Sequence, residues 1–189
     1  MGKLIRQSLI MLLLMTALTG VLYPFAVTGT AQLLFSQAAN GSIIERGGQA
    51  LGSELIGQPF ADPKYFWSRP SATAPFTDNP AASGGSNLGP TNSTLADTVK
   101  QRIDALHAAD PDNAVPVPVD LVTASASGLD PHNSPAAARY QIARVARIRG
   151  MLAAKLAELV DNATEARQFG VLGEPRVNVL ELNLALDGK

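Results

Sequence analysis

The sequence predicts an α+β protein: a single N-terminal transmembrane helix followed by one extracytoplasmic α+β domain. Three observations carry that expectation. No charged residue falls between Arg6 and Glu45, so the run from Ser8 to Phe35 is apolar enough to enter a bilayer. After Pro135, Ile142, Val145, Ile148, Leu152, Leu156, Leu159 and Val160 fall within about 120° of arc at 100° per residue, an amphipathic helical stripe. Near the end, Leu180, Leu182, Leu184 and Leu186 alternate with Glu181, Asn183 and Ala185, as in a half-buried strand.

The anchor comes first. Its 28 uncharged residues would span about 42 Å as a helix at ~1.5 Å per residue. A hydrocarbon core is only ~30 Å thick, so the helix should tilt or emerge on the far side. Residues 1–7 are then a short cytoplasmic N-terminus, 8–35 the transmembrane helix and its exit, and 36–189 the soluble domain. Lys3 and Arg6 precede the span and no basic residue follows until Arg46, which places the N-terminus in the cytoplasm and the body outside it. A cleaved signal peptide begins the same way. The apolar run outlasts a signal core, however, and no clean A-x-A site follows, so a retained anchor is expected. Thr16, Thr19 and Gly20 are small enough to admit a neighbouring helix, and Tyr23-Pro24 suits a kink or the interface.

Composition narrows the function. A net charge of −1 and a pI near 6.1 lack the concentrated basic surface that nucleic acid requires. Without cysteine there is no disulfide, no thiolate metal site and no cysteine nucleophile.

Past the membrane, Ala38 to Gly48 reads as a polar connector and Ala50 to Phe60 as a short strand ended by a turn. Tyr65-Phe66-Trp67 is a core plug or, with Arg69, a partner anchor. Residues 71–92 form a loop dense in Ser, Gly, Asn and Pro. Asn92 to His107 is helical, with Leu95, Val99, Ile103 and Leu106 on one face and Asp110-Pro111 as its stop. Val115, Val117 and Val119 alternate with prolines, an edge strand or an extended segment. Val119 to Ala137 is a polar loop delivered onto a helix start, with Ser134 as cap and Pro135 at the first helical position.

On the helix that follows, Arg139, Arg144, Arg147, Lys155 and Glu158 lie off the apolar stripe, as a solvated face. Gln141 and Arg149 lie inside it and are the candidates for a buried polar pairing. Arg149 should meet a carboxylate or loop carbonyls. In the C-terminal strand, Val177 and Val179 have the opposite phase to the leucines, which predicts a bulge near Leu180.

Chemistry-bearing patterns are sparse. The run Ser83, Gly84, Gly85, Ser86, Asn87 could let backbone N–H groups converge on a phosphate, and Ser125, Ser127 and Asp130 could complete a nucleotide or partner loop. There is no G-x-x-x-x-G-K-[ST] pattern beside it. His132 with a nearby Ser and Asp would be the centre of a membrane-anchored or secreted periplasmic hydrolase, although no G-x-S-x-G elbow occurs. Metal-ligand spacings are missing from the sequence, and neither a catalytic residue nor a bound cofactor is assigned.

Six runs together carry a resemblance. They are S-E-L-I-G-Q-P-F from Ser53, Y-F-W-S-R-P-S-A from Tyr65, N-P-A-A-S-G-G-S-N-L-G-P-T-N from Asn79, V-D-L-V-T-A-S-A-S-G-L-D-P-H from Val119, Q-I-A-R-V-A-R-I-R-G from Gln141 and L-G-E-P-R-V-N-V-L-E-L-N-L-A-L-D from Leu172. In content and order they resemble the C subunit family of the Kdp potassium-transporting ATPase, over almost the whole chain. Asn133 departs from the pattern, where Ile is expected before the Ser. The resemblance implies a non-catalytic subunit of a bacterial inner-membrane complex. Its partners would be a channel-like potassium-binding subunit, a P-type ATPase subunit and the lipid bilayer. It further implies a role in assembly and in raising the ATP affinity of the ATPase subunit, so ATP enters through that partner. The S-G-G-S run resembles the signature loop of ABC transporters, with Ala82 in place of its Leu and Ser86 in place of its Gln. An extracytoplasmic domain never meets cytosolic ATP, so direct nucleotide binding and indirect action remain alternatives.

Overall fold

The computed structural model describes residues 1–188 and divides into two compact units, Met1–Ile43 and the chain from Ile44 onward. The first unit is a helical rod. Helix α1 (Gly2–Ala17) passes through a widened π-helical turn, Leu18–Leu22, into α2 (Tyr23–Leu34). That turn ends two residues before Pro24, whose nitrogen has no hydrogen to give to the ladder; where a kink or the interface was expected, the helix changes its winding. The 33 residues from Gly2 to Leu34 would reach about 50 Å. None is buried by the chain itself. Thr19 and Thr30 turn their hydroxyls back onto the carbonyls of Met15 (2.7 Å) and Ala26 (2.8 Å), which suits an apolar surrounding. A short helix, α3 (Ser36–Ala39), follows.

The second unit mixes helices with small sheets. The expected polar connector carries strand β1 (Ile43–Arg46), which pairs with β2 (Gln49–Ser53). Gly47 (φ +57°) and Gly48 (φ +78°) supply the left-handed pair that a two-residue hairpin turn requires. Helix α4 (Ser93–Ala109) is capped by Asn92, whose side chain accepts from the Thr94 N–H. Val115 and Val117 form no strand, and Val119–Leu121 is a single 3-10 turn. The prolines between them remove the N–H groups that a ladder would need.

The single long helix expected after Pro135 is three: α5 (Pro135–Tyr140), α6 (Ile142–Arg149) and α7 (Ala153–Asn162). Gly150, at φ +63°, ends α6 in the left-handed conformation, and the chain restarts in a new direction. Ile148 and Leu152, placed on the apolar stripe by a continuous helix, are therefore exposed. The C-terminal strand is also corrected. Strand β5 (Arg176–Asn178) stops at Asn178, whose side chain accepts from the N–H groups of Leu180 and Glu181 and starts α8 (Val179–Leu186). Strand β5 lies between β3 (His132–Asn133) and β4 (Thr164–Glu165), antiparallel to both, with His132 opposite Asn178 and Thr164 opposite Val177.

Two apolar clusters meet at α5. Ala138 belongs with Phe66, Val145, Leu156, Val177 and Leu182, and Ala137 with Leu106, Leu121, Val122 and Tyr140. Between them threads a strap, residues 62–69, in which a turn at 62–65 runs into an extended segment; among the described residues it has no strand partner. Side chains satisfy its backbone instead. Asn183 accepts from the Phe66 N–H (2.9 Å) and donates to its carbonyl (2.9 Å). Gln141 does the same for Trp67, at 2.7 and 3.2 Å. Asn133 also donates to the Trp67 carbonyl, at 2.8 Å.

The arginines are sorted differently from the helical-wheel expectation. Arg144, placed on the solvated face, is 2% exposed. It donates to the carbonyls of Pro63 and Tyr65 and to Gln141 Oε1, and stacks 4.5 Å from the centre of the Trp67 ring. Burial lowers its guanidinium pKa to about 10. Arg147 pairs with buried Asp110 at 2.6 Å. Arg149 meets Asp187 Oδ1 at 2.7 Å and the Lys64 carbonyl at 2.8 Å, over the Tyr65 ring. Replacing Arg144 with Met should cost about 3–5 kcal/mol, because the carbonyls of Pro63 and Tyr65 lose their donor and Gln141 Oε1 loses one of its two. Arg139→Ala, which breaks an exposed pair with Asp161, should cost less than about 1 kcal/mol. Urea unfolding of the full chain in detergent would measure both.

Candidate functional site

The two polar stretches singled out in the sequence come together although some forty residues separate them. The Gly84 N–H donates to the Ser127 carbonyl at 2.8 Å, and the Ser83 hydroxyl donates to the same oxygen at 2.9 Å. Gly85 lies so close to this segment that a Cβ there would stand 2.9 Å from the Ala126 carbonyl oxygen. Gly128, at φ +67°, is packed as tightly: an added Cβ would meet Thr73 at 2.5 Å and the Gly84 carbonyl at 2.7 Å. Ser125 is buried and its N–H donates to Pro70, while the Ser127 hydroxyl accepts from the Leu129 N–H. Ser86 and Asn87 remain exposed, with Asn87 at φ +52°. The arrangement is a stitch between loops, with the Gly84 N–H turned inward onto a carbonyl.

Asp130 sits at the end of this stitch, beside β3. Its Oδ2 accepts from Arg69 at 3.0 Å, and its Oδ1 accepts from the His132 N–H at 3.0 Å and lies 3.3 Å from His132 Nδ1. Burial pushes this carboxyl up. The His132 ring and backbone N–H, with the Arg69 guanidinium, outweigh it and hold the group below the ordinary carboxylate range. Nearby, Asp120 accepts from the Ser134 N–H at 2.7 Å, and the Ser134 hydroxyl caps α5 through the Ala137 N–H. Arg69, Asp120, Asp130, His132 and Arg176 line an open cleft of about 470 Å³. Glu174 lines it too, so the two guanidiniums face three carboxylates.

Among the described residues no serine hydroxyl is hydrogen-bonded to His132, and no group of three or more His, Cys, Asp or Glu side chains could hold a metal ion. Asp120 was not singled out from the sequence, and Arg69 only as a partner anchor beside the aromatics, not as the partner of Asp130. An Asp fourteen residues before the N–H that it accepts, and an Arg sixty-one residues from its carboxylate, leave no local pattern to find.

The fold defines a class: a protein with one N-terminal helix long and apolar enough to cross a membrane, and a small α+β domain. Comparison with known proteins makes it specific. The family model for the c chain of the K+-transporting ATPase, KdpC, matches residues 5–188. The potassium-transporting ATPase KdpC subunit of Methylococcus capsulatus is 64% identical, over 96% of each chain. Its counterpart in Variovorax paradoxus is 63% identical, over 99% of this chain and 97% of the relative. The chain belongs to the KdpC family, the C subunit of the potassium-transporting ATPase.

Asp130 provides a pH test of the site's electrostatics. A folded-state pKa below the unfolded value means that its contribution is present above the ordinary carboxylate pKa of about 3.9 and is lost as pH falls through the folded value. The urea midpoint of the wild-type chain should therefore fall more steeply below about pH 4 than that of Asp130→Asn. At pH 7 the substitution should cost about 1–3 kcal/mol through its charged hydrogen bonds.

Proposed function

We propose that this subunit supports high-affinity potassium uptake without catalytic residues of its own, by assembling with a channel-like potassium-binding subunit and a P-type ATPase subunit. The anchor would span the bacterial inner membrane once, with residues 1–7 in the cytoplasm and the domain outside. Lys3 and Arg6, the only charges on the short side of the helix, support that orientation. In this arrangement the subunit raises the ATP affinity of its partner indirectly, through the membrane helix or at the mouth of the potassium pathway.

One observation carries the indirect reading. The S-G-G-S loop gives its Gly84 N–H to the Ser127 carbonyl and packs Gly85 against Ala126, so these residues are engaged within the chain. A phosphate nest would need N–H groups free to converge on the ligand. No lysine accompanies the loop, and Trp67, which could stack on a base, is bonded to Gln141 and covered by Arg144.

Two measurements test this. A C-terminal reporter active only in the cytoplasm should stay silent; strong activity would reverse the orientation. Calorimetry of the full chain in detergent should show ATP binding weaker than about 1 mM, less than about 4 kcal/mol at standard state. A stoichiometric micromolar titration would restore a direct nucleotide role.

A further inference from the structure

Asp78 stands apart from the other buried charges of the domain. It is 9% exposed, yet among the described residues its carboxylate oxygens take part in no hydrogen bond or ion pair. Asp110 has Arg147, Asp130 has Arg69, and Asp187 has Arg149. The Asp78 oxygens meet solvent only through the cavity that they line, and burial raises the pKa of this carboxyl.

The surrounding loop holds the carboxylate in place. Asp78 is at φ +55°, a conformation that few side chains adopt, and its N–H donates to Ser71 Oγ at 2.9 Å. The Ser71 hydroxyl donates in turn to the Gly128 carbonyl at 2.7 Å. On the far side, Thr73 Oγ1 accepts from the Asn79 N–H at 3.0 Å and donates to the Phe76 carbonyl at 2.8 Å. A Cβ at residue 57 would stand 2.6 Å from Asp78 Oδ1, so Gly57 is the residue that leaves room for the carboxylate. The carboxylate helps to line a cavity of about 360 Å³, with Ile56, Pro59, Phe76 and Thr77 around it. Phe76, at the rim, is 59% exposed.

We propose that this cavity receives one cationic side chain, a lysine ammonium or an arginine guanidinium, presented by a neighbouring subunit of the potassium-transporting ATPase. A hard inorganic cation seeks about six or more oxygen ligands, whereas this cavity offers one carboxylate among largely apolar walls. A lysine or arginine fits both parts. Its methylene stem covers Ile56 and Pro59, and its head lies between the Asp78 carboxylate and the Phe76 ring. Membership of a multi-subunit ATPase supplies the partner. The orientation of the domain across the membrane does not enter the argument.

Carboxyl labelling tests it. The full chain in detergent and the assembled complex are treated with a carbodiimide and glycine ethyl ester, and modification of Asp78 is followed by peptide mass spectrometry. Asp78 should be labelled in the free chain and at least about tenfold more slowly in the complex. Asp78→Asn should reduce retention of the subunit in the complex through a salt wash by about tenfold, while leaving the Tm of the free chain unchanged or higher, since a desolvated charge has been removed. Equal labelling in both states, or undiminished retention of Asp78→Asn, would overturn the proposal. A lower Tm for free Asp78→Asn would overturn it by making the carboxylate a structural group. Protection of the free chain by potassium chloride alone would overturn it in favour of an inorganic cation.

Discussion

The domain depends on how the strap at residues 62–69 is held, from its exposed turn to the buried Phe66. A segment without strand neighbours carries a carbonyl at each residue and an N–H at each residue but proline, and those shut off from water must find a partner. Here the partners are side chains. The Asn183 and Gln141 amides each close a two-bond ring on one strap residue, as a neighbouring strand would have done. Arg144 then takes the carbonyls of Pro63 and Tyr65, and Arg149 that of Lys64. These donors come from α5–α6 and α8, so the strap ties the N-terminal part of the domain to its last helix. Phe66 can be fully buried because the backbone on either side of it is satisfied.

The same principle organises the loops beyond the strap. Ser71, Thr73 and Asn79 close the turn that leads to Pro80, and Ser83 and Gly84 join that turn to Ser127. Small residues are needed because backbones approach closely. Gly57, Gly85 and Gly128 each have atoms within 3 Å of where a Cβ would lie. A stretch rich in Ser, Gly and Asn thus acts as a folded stitch, with Ser71, Thr73, Asn79, Ser83 and Gly84 bonded to its own chain and Ser86 and Asn87 left exposed.

What the sequence made legible was local. Asn92 and Ser134 announce the starts of α4 and α5 because a cap acts within three residues of itself. The anchor is legible because lipid imposes one rule on every residue of a long run. The C-terminal leucines mislead because their i, i+2 spacing fits a strand. The residues that are buried, Val179, Leu180, Leu182, Asn183 and Leu186, instead follow the i, i+1, i+3, i+4, i+7 spacing of a helix, and Asn178 was an available cap signal. The break at Gly150 has a local signal too, since glycine is the usual left-handed helix stop, but a continuous apolar stripe masks it. Arg144 and Arg149 could not be ranked by a helical wheel. Which guanidinium is buried depends on where the strap passes, and the strap lies about eighty residues away.

These constraints bear on how a subunit of this kind acts on its partners. Arg69, Arg147 and Arg149 each face a carboxylate of the same chain, so these guanidiniums are neutralised internally. Such pairs fix geometry and leave little long-range field with which to steer a partner. Recognition then rests on shape and on the few groups that the fold leaves unmatched. A domain stitched from side chain to backbone at so many points also resists local rearrangement, because loosening the strap exposes several buried acceptors at once. It is therefore suited to transmit a contact as a rigid body, and less suited to change shape around a small ligand.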